Sequence, residues 1–376
     1  MNINSSNLKS KLLDISYRSL PAVFLFLLLK GASDFGSLNT QSILIDIIVI
    51  APFLTPFFRL GFPVISQGLA DKSARLALYK QILLVQLFIV VLIQPLFWFD
   101  NTAYVVTNIA VIMAICFNFG SHLIRSGVRG GFLWQNGLVN LLLLVGFFCS
   151  LWVFKESFII YIQLLIAIIF IFTVFYFRPS LTLIFSYRLN IGKFTLDVLA
   201  TFLIPLIIWF TIAISIPNNA DLLILIKLSA FISGMFGSLL LLNMKSLDLL
   251  PREERLHGFT QLKLKQQHFL WCFLVIGLLA SLVLLPATYA AYFIAFMMME
   301  WCVYRFGHFN LLLNHAGRSL SAIYANVAAG MICTVTFLLF NFVGDVKSQK
   351  LAIIFYIFSI VVTHSAYRFY YVMNKH

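Results

Sequence analysis

Apolar stretches and short polar links alternate along the whole chain. The hydrophobic positions form about a dozen stretches, each close to the ~20 residues that a helix needs to cross a bilayer. They predict spans at roughly 16–33, 39–60, 78–99, 102–124, 132–153, 158–178, 195–216, 221–243, 268–286, 288–311, 320–342 and 351–371. We therefore expect an all-α membrane protein with about twelve transmembrane helices.

The polar links carry an alternating charge that predicts an orientation. Lysine and arginine concentrate in every second link, at Lys9, Lys11, Arg18, Arg59, Lys72, Arg75, Arg125, Arg129, Arg178, Arg188, Lys193, Lys245, Arg252, Arg255, Lys263, Lys265, Arg318, Arg368 and Lys375. The intervening links hold only Lys155, Lys347 and Lys350. Because short loops rich in lysine and arginine stay in the cytoplasm, we expect both termini to be cytoplasmic and the number of spans to be even.

Composition agrees with this class. The chain is 61% hydrophobic, has a mean hydropathy of +0.98 and carries a formal net charge of +13. The positive charge lies almost wholly in the predicted cytoplasmic links, so contact with anionic lipid explains it better than nucleic-acid binding does. The five cysteines all lie in apolar stretches without metal-ligand spacing. We predict no metal, no cofactor and no nucleic-acid partner.

Two similar segments suggest a repeat of the whole architecture. Gly127-Val128-Arg129 precedes the fifth predicted span and Gly317-Arg318 precedes the eleventh, each followed by an asparagine (Asn136 and Asn326). The two arginines lie about half the chain length apart. The pattern predicts two six-helix bundles, residues 1–186 and 187–376, which enter the membrane in the same sense.

Charged residues inside the predicted spans are the first candidates for function. Each costs about 2.5–3.5 kcal/mol at a helix centre on insertion scales, so such residues tend to face a cavity or an opposite charge. Lys227 lies roughly 9 Å inside the eighth span, counted at 1.5 Å per residue, and we expect it to line a substrate cavity. Glu300 and Arg305 in the tenth span are either an internal ion pair or contacts of other helices. Asp46 in the second span is an isolated acid that could accept a proton.

Other polar positions allow two interpretations. Arg18, Lys30 and Arg59 bracket the first two spans, where they could anchor the helix ends or line a cavity. Asp197, four residues after Lys193, is expected to form an interfacial pair with it. Amide side chains within spans favour hydrogen bonds between helices over contacts with sugar hydroxyls; they are Gln81, Gln86, Gln94, Asn108, Asn118, Asn140 and Gln163. Prolines that would loosen helices lie in the second and seventh spans, at Pro52, Pro56 and Pro205.

Three short motifs resemble a known family. Residues Gly31-Ala32-Ser33-Asp34-Phe35-Gly36 follow the first span, Arg59-Leu60-Gly61-Phe62-Pro63 ends the second, and Ala316-Gly317-Arg318 precedes the eleventh. These motifs, with twelve spans in two bundles, are similar to the Wzx-type polysaccharide flippases of the multidrug/oligosaccharidyl-lipid/polysaccharide exporter superfamily. The resemblance covers essentially the whole chain.

The resemblance implies a function and its residues. Such a flippase moves an undecaprenyl-diphosphate-linked oligosaccharide across the bacterial inner membrane by alternating access, through a cationic cavity between the bundles. Polysaccharide polymerase, a chain-length regulator and membrane lipids would be its partners. Cations of the first, second and eighth spans would bind substrate, with Asp46 or Glu300 coupling the cycle to protons or voltage. The substrate-binding candidates are Arg18, Lys30, Arg59, Lys227 and Arg305.

Two alternatives stay open. A drug or cation exporter of the same fold would have an acid-lined cavity, whereas lysine and arginine outnumber acids inside these spans. An O-antigen polymerase, a membrane glycosyltransferase, would have a large outer loop rich in arginine, whereas every predicted outer loop is short. No nucleophile–base constellation, glycine-rich phosphate loop or paired carboxylates occur, so we expect no enzyme.

Overall fold

The structure is a computed structural model that describes most of the chain. The described residues are 5–66, 69, 71–128, 130–131, 133–152, 188–216, 219–243, 254–315, 319–343 and 348–373, with single positions between 161 and 175. They are almost entirely helical, and no strand occurs among them. The expected all-α class is confirmed for this part of the chain.

The helices follow the predicted apolar stretches. In chain order they are α1 (Ser5–Phe35), α2 (Leu38–Phe58), α3 (Phe62–Ile65), α4 (Lys72–Ile93), α5 (Asn101–Arg125), α6 (Leu138–Trp152), α7 (Ile191–Thr201), α8 (Leu203–Ile214), α9 (Asn219–Asn243), α10 (Arg255–Leu284), α11 (Ala287–Phe306), α12 (Phe309–His315), α13 (Ser319–Val343) and α14 (Gln349–Met373). A short 3-10 helix, Gln94–Trp98, extends α4, and a short π-helix, Leu133–Gly137, precedes α6.

The long apolar helices make this a multi-pass membrane protein. Within the described residues, seven helices are long and apolar enough to cross a bilayer, namely α2, α4 with its extension, α5, α9, α10, α13 and α14. The bent pair α7 and α8 raises this number to eight if the two helices form one span. The sixth predicted span, 158–178, lies outside the described residues except at single positions. Twelve spans and cytoplasmic termini stay predictions.

Polar caps fix where several helices begin. The first backbone N–H groups of a helix lack internal acceptors, and a short polar side chain just before the helix supplies one. Asp71 accepts hydrogen bonds from the Ser73 hydroxyl and from the backbone N–H groups of Ser73 and Ala74, and these bonds lower the pKa of its carboxyl. Similar caps precede α2, α5 and α7, at Ser37, Asp100 and Asn190.

The chain forms two compact units. The first unit comprises residues 20–205, and the second comprises residues 1–19 and 206–376. In the first unit α5 packs against α2, α4 and α6, and α7 packs against α2 and α3. In the second unit α11 packs against α9, α10 and α14, and α13 packs along α14. The predicted boundary between residues 186 and 187 lies outside the described residues.

The prolines of the second and seventh predicted spans have different effects on their helices. A proline removes one backbone hydrogen bond, and its ring clashes with the carbonyl four residues earlier. The expected break near Pro205 is observed: α7 and α8 meet at Phe202 with a bend of 48°. In contrast, α2 continues through Pro52 and Pro56 and ends two residues later.

A sharp corner follows α2. Leu60 and Gly61 both adopt left-handed backbone conformations, with φ of 54° and 72°. The corner leads into α3, and its Gly61 packs against the backbone of the first turn of α7. A Cβ atom added at Gly61 would lie 3.1 Å from the Cα and the backbone N of Phe194. Glycine is required here by both the backbone angle and the close approach.

We expect the Gly61→Ala substitution to be more destabilising than Gly127→Ala. Both glycines have positive φ, which costs an L-residue about 1–2 kcal/mol. Only Gly61 adds a clash, since nothing lies within 4 Å of a Cβ atom at Gly127. Thermal unfolding of the purified protein in detergent measures the two effects. Equal losses would contradict the tight packing of the corner on α7.

Candidate functional site

A buried ion pair joins α2 to α7 within the first unit. Nη2 of Arg59 lies 3.2 Å from Oδ1 of Asp197, and both side chains are only 4% exposed. The same nitrogen donates to Oγ1 of Thr201 at 2.7 Å. The guanidinium carbon lies 4.4 Å from the ring centroid of Phe117, a cation–π contact. The ion pair and the hydrogen bond therefore hold Arg59 on α7, while the ring of Phe117 on α5 packs against its guanidinium.

Two amide side chains hold the end of α2 behind this ion pair. The last carbonyls of a helix lack internal donors. Nδ2 of Asn118 donates to the carbonyl oxygen of Arg59 at 3.2 Å, and Nε2 of Gln86 donates to that of Phe58 at 2.8 Å. Both residues belong to the amides predicted to bond between helices, and for these two the prediction is confirmed.

The ion pair differs from the sequence interpretation of Asp197. The expected pair with Lys193 is wrong, because the carboxylate of Asp197 turns inward to Arg59. Nε of Arg59 and Oδ2 of Asp197 are buried and have no hydrogen-bond partner among the described residues. The ion pair thus has one unused hydrogen-bond donor, Nε of Arg59, and one unused acceptor, Oδ2 of Asp197. The sequence signal for the contact was weak: both charges lie at predicted cytoplasmic ends of spans.

The other candidates of the first unit lie apart from this ion pair. Lys30 forms an ion pair with Asp34 one turn later, at 2.9 Å, and both side chains are about one-third exposed. Asp46 is half-buried in the middle of α2 and has no hydrogen-bond or ionic partner among the described residues. Arg18, by contrast, belongs to the segment of α1 that groups with the second unit, and its side chain lies outside the described part.

Lys227 is the exception in a fully packed stretch of the second unit. The five residues before it, 222–226, are 0% exposed, and Leu228 is 2% exposed. Lys227 alone keeps part of its side chain accessible, and no described side chain forms an ion pair with it. Lys227 thus interrupts an otherwise fully buried run of apolar side chains along this part of α9.

Glu300 forms a buried polar cluster in the same unit. Its side chain is 4% exposed, and the Ser229 hydroxyl donates to its Oε1 at 2.7 Å. Ser233 makes a second hydrogen bond, and Tyr356 lies close enough to interact electrostatically. Of the two interpretations, the internal ion pair with Arg305 is not formed; Arg305 is exposed. The carboxylate has hydroxyl partners but no cation among the described residues.

Lys263 is a buried cation that the sequence interpretation missed. It was counted among the charges of a cytoplasmic link, yet its side chain is buried and its Nζ lies 3.2 Å from the carbonyl oxygens of Arg305 and Gly307. It therefore caps the end of α11. Three aromatic rings surround the ammonium, with centroids 5.1 to 6.0 Å away: Phe259, Tyr304 and Phe309.

Comparison with known proteins adds no family to this picture. No family model matches the chain, and no curated protein or solved structure is significantly similar to it. Within the described residues, no group of three or more histidine, cysteine, aspartate or glutamate side chains could hold a metal ion. The described residues place charges and hydrogen-bonding groups inside apolar helices.

We expect a double-mutant cycle on Arg59 and Asp197 to show strong coupling. Arg59→Gln and Asp197→Asn each leave a buried charge alone, which costs about 3–5 kcal/mol, whereas the double variant removes both charges and loses less than the sum. The matched control is Lys30→Gln with Asp34→Asn, an exposed pair that contributes about 0–1 kcal/mol. Unfolding in detergent measures both cycles, and equal coupling in both would contradict the buried pair.

Proposed function

We propose that the protein is a flippase of the bacterial inner membrane. Its substrate would be an undecaprenyl-diphosphate-linked oligosaccharide destined for surface polysaccharide, carried by alternating access. The diphosphate and the sugars cannot enter hydrocarbon, so a carrier must offer them charge and hydrogen bonds within the membrane. The short motifs noted above support this family, and the excess of lysine and arginine over acids supports an anionic substrate.

Lys227 is the observation that carries the proposal. An ammonium in the middle of an apolar helix does not face acyl chains without a large cost. It stays in place where it meets water, an opposite charge or a ligand. The neighbours of Lys227 are packed, and no described carboxylate pairs with it. A phosphate group of the substrate would supply the missing anion, with lysine acting as a point charge.

The remaining cationic candidates take supporting roles in this proposal. Arg59 would have to exchange Asp197 for phosphate, because its guanidinium already binds that carboxylate. Lys30 would exchange Asp34 for phosphate more easily, because its ion pair with Asp34 is exposed to solvent. Arg18 remains a proposed contact of the same kind. The proposal therefore depends first on Lys227.

Glu300 and Asp46 are the proposed coupling groups. A buried carboxylate that lacks a cation is costly, and binding a proton or a cation removes that cost. Glu300 meets this description with hydroxyl partners only, and Asp46 is half-buried without a described partner. The membrane potential would contribute about 2.3 kcal/mol per charge per 100 mV to such a cycle.

The function is tested in the bacterium that makes the protein. Deletion of the gene should strand single lipid-linked repeat units on the cytoplasmic leaflet, and the intact gene should restore their export. Loss of a polymerase would instead let single units reach the surface. Loss of a drug exporter would leave the polysaccharide intact and sensitise the cells to toxic cations. Either outcome would contradict the flippase proposal.

In the same strain we expect Lys227→Gln to lower export strongly. A hydrogen bond to a charged group is worth about 1.5–3 kcal/mol, so the rate should fall by roughly 10- to 100-fold. Lys227→Arg should keep much of the activity because it keeps the charge. Lys350→Gln is the control, a lysine exposed at the start of α14. Wild-type export by Lys227→Gln at normal protein levels would exclude the proposed role.

We also expect Glu300→Gln to uncouple transport without unfolding the protein. The amide keeps the shape and an acceptor for Ser229, but it cannot release or bind a proton. Flipping of labelled substrate in vesicles should lose its stimulation by an imposed pH gradient or potential. Asp46→Asn tests the second acid, and Glu254→Gln, exposed at the start of α10, is the control. Unchanged stimulation in both test variants would rule out this coupling.

A further inference from the structure

The end of α11 in the second unit carries an excess of positive charge. Arg305 and Arg368 are both exposed, and Lys263 lies beneath them on the carbonyls of Arg305 and Gly307. Both guanidinium groups act electrostatically on the Lys263 ammonium. The guanidinium of Arg368 lies 5.9 Å from the ring centroid of Phe306. Three positively charged side chains thus lie near the C-terminal end of α11.

No carboxylate of the described residues neutralises this group. The described ion pairs are Lys30–Asp34 and Arg59–Asp197, both in the first unit. The nearest acid along α11, Glu300, is buried and bonded to Ser229. A helix C-terminus carries only about half a negative charge, which the buried Lys263 already offsets. Among the described residues, the two arginines therefore have no anionic partner.

The side chains around this end of the second unit have the composition typical of a membrane–water interface. Aromatic side chains with polar tips concentrate at both interfaces of a membrane. The ring centroids of Tyr370 and Tyr324 lie 6.4 Å apart, and those of Tyr371 and Phe309 lie 5.3 Å apart. All four rings lie at the same end of the second unit as Arg368. The arginines belong to helix ends, Arg305 to the last turn of α11 and Arg368 to the last two turns of α14.

We propose that Arg305 and Arg368 bind the phosphate of a resident anionic phospholipid. Arginine is suited to phosphate because its planar group donates two parallel hydrogen bonds. Anionic phospholipids are the abundant anions at the predicted cytoplasmic face, and basic sites between helix ends bind their headgroups. This inference does not rest on the proposed transport function. It gives Arg305 a permanent lipid ligand rather than the transported one.

Trp301 provides an internal reporter for the proposed site. It is 43% exposed and lies four residues before Arg305 on α11, roughly 6 Å along the helix. Bromine atoms on the acyl chains of a bound lipid would therefore quench its fluorescence. The difference between the wild type and Trp301→Phe isolates this signal from the other tryptophans. The full chain is measured in phosphatidylcholine nanodiscs that contain increasing brominated phosphatidylglycerol.

We expect brominated phosphatidylglycerol to quench Trp301 at much lower mole fractions than brominated phosphatidylcholine. A cation at an anionic membrane surface contributes about 1 kcal/mol, so Arg305→Gln and Arg368→Gln should each raise the half-quenching fraction about fivefold, and together roughly 30-fold. The double Arg→Lys variant should retain part of the preference. Lys350→Gln, on the same helix as Arg368 but at its other end, should behave as wild type.

Two results would overturn the proposal. Equal quenching by the two brominated lipids would show that the arginines bind no anionic headgroup. Protection of Trp301 by inorganic pyrophosphate, without any preference for phosphatidylglycerol, would assign the arginines to a soluble or transported phosphate instead. Neither result depends on transport, so the flippase proposal would stand or fall separately.

Discussion

A polar group buried among apolar helices must find its hydrogen bond inside the protein, and this constraint organises the structure. Hydroxyls within the helices solve it locally: Thr55, Thr211 and Thr363 each donate to the carbonyl four residues earlier. Helix ends have no local solution, because their last carbonyls have no following N–H group. Side chains from other helices reach them instead. These side chains are Gln86 and Asn118 at the end of α2, and Lys263 at the end of α11.

The same constraint separates the buried charges into two kinds. Arg59 and Asp197 neutralise each other, and Lys263 is balanced by carbonyl oxygens and aromatic rings. Such charges hold helices together, and removing one partner leaves the other uncompensated. Lys227 and Glu300 lack an opposite charge among the described residues. A charge in an apolar helix without such balance is costly to retain. For this reason we propose a ligand for Lys227 and an ion for Glu300.

The sequence predicts the helices well because hydropathy over ~20 residues is a strong and local signal. The bend near Pro205 also follows from local chemistry. The contact between Arg59 and Asp197 could not be predicted, since the residues lie 138 positions apart and hydropathy carries no information on which helices pair. Its charge had made Arg59 a candidate for a functional role, but nothing in the sequence indicated Asp197 as its partner. Lys263 was missed because a lysine near a helix end is usually solvated, and burial by three rings is a tertiary effect.

The two proposed phosphate contacts differ in depth and in chemistry, and the difference fits their tasks. Arg305 and Arg368 belong to helix ends, where a planar guanidinium can hold a phosphate bidentately for long periods. Lys227 lies within α9 among packed neighbours, and its ammonium is a compact point charge without a fixed geometry. A carrier must release its cargo after each cycle, so a contact without bidentate geometry suits the transported phosphate. A resident lipid has no such requirement, and tight binding at the interface would also stabilise the ends of α11 and α14.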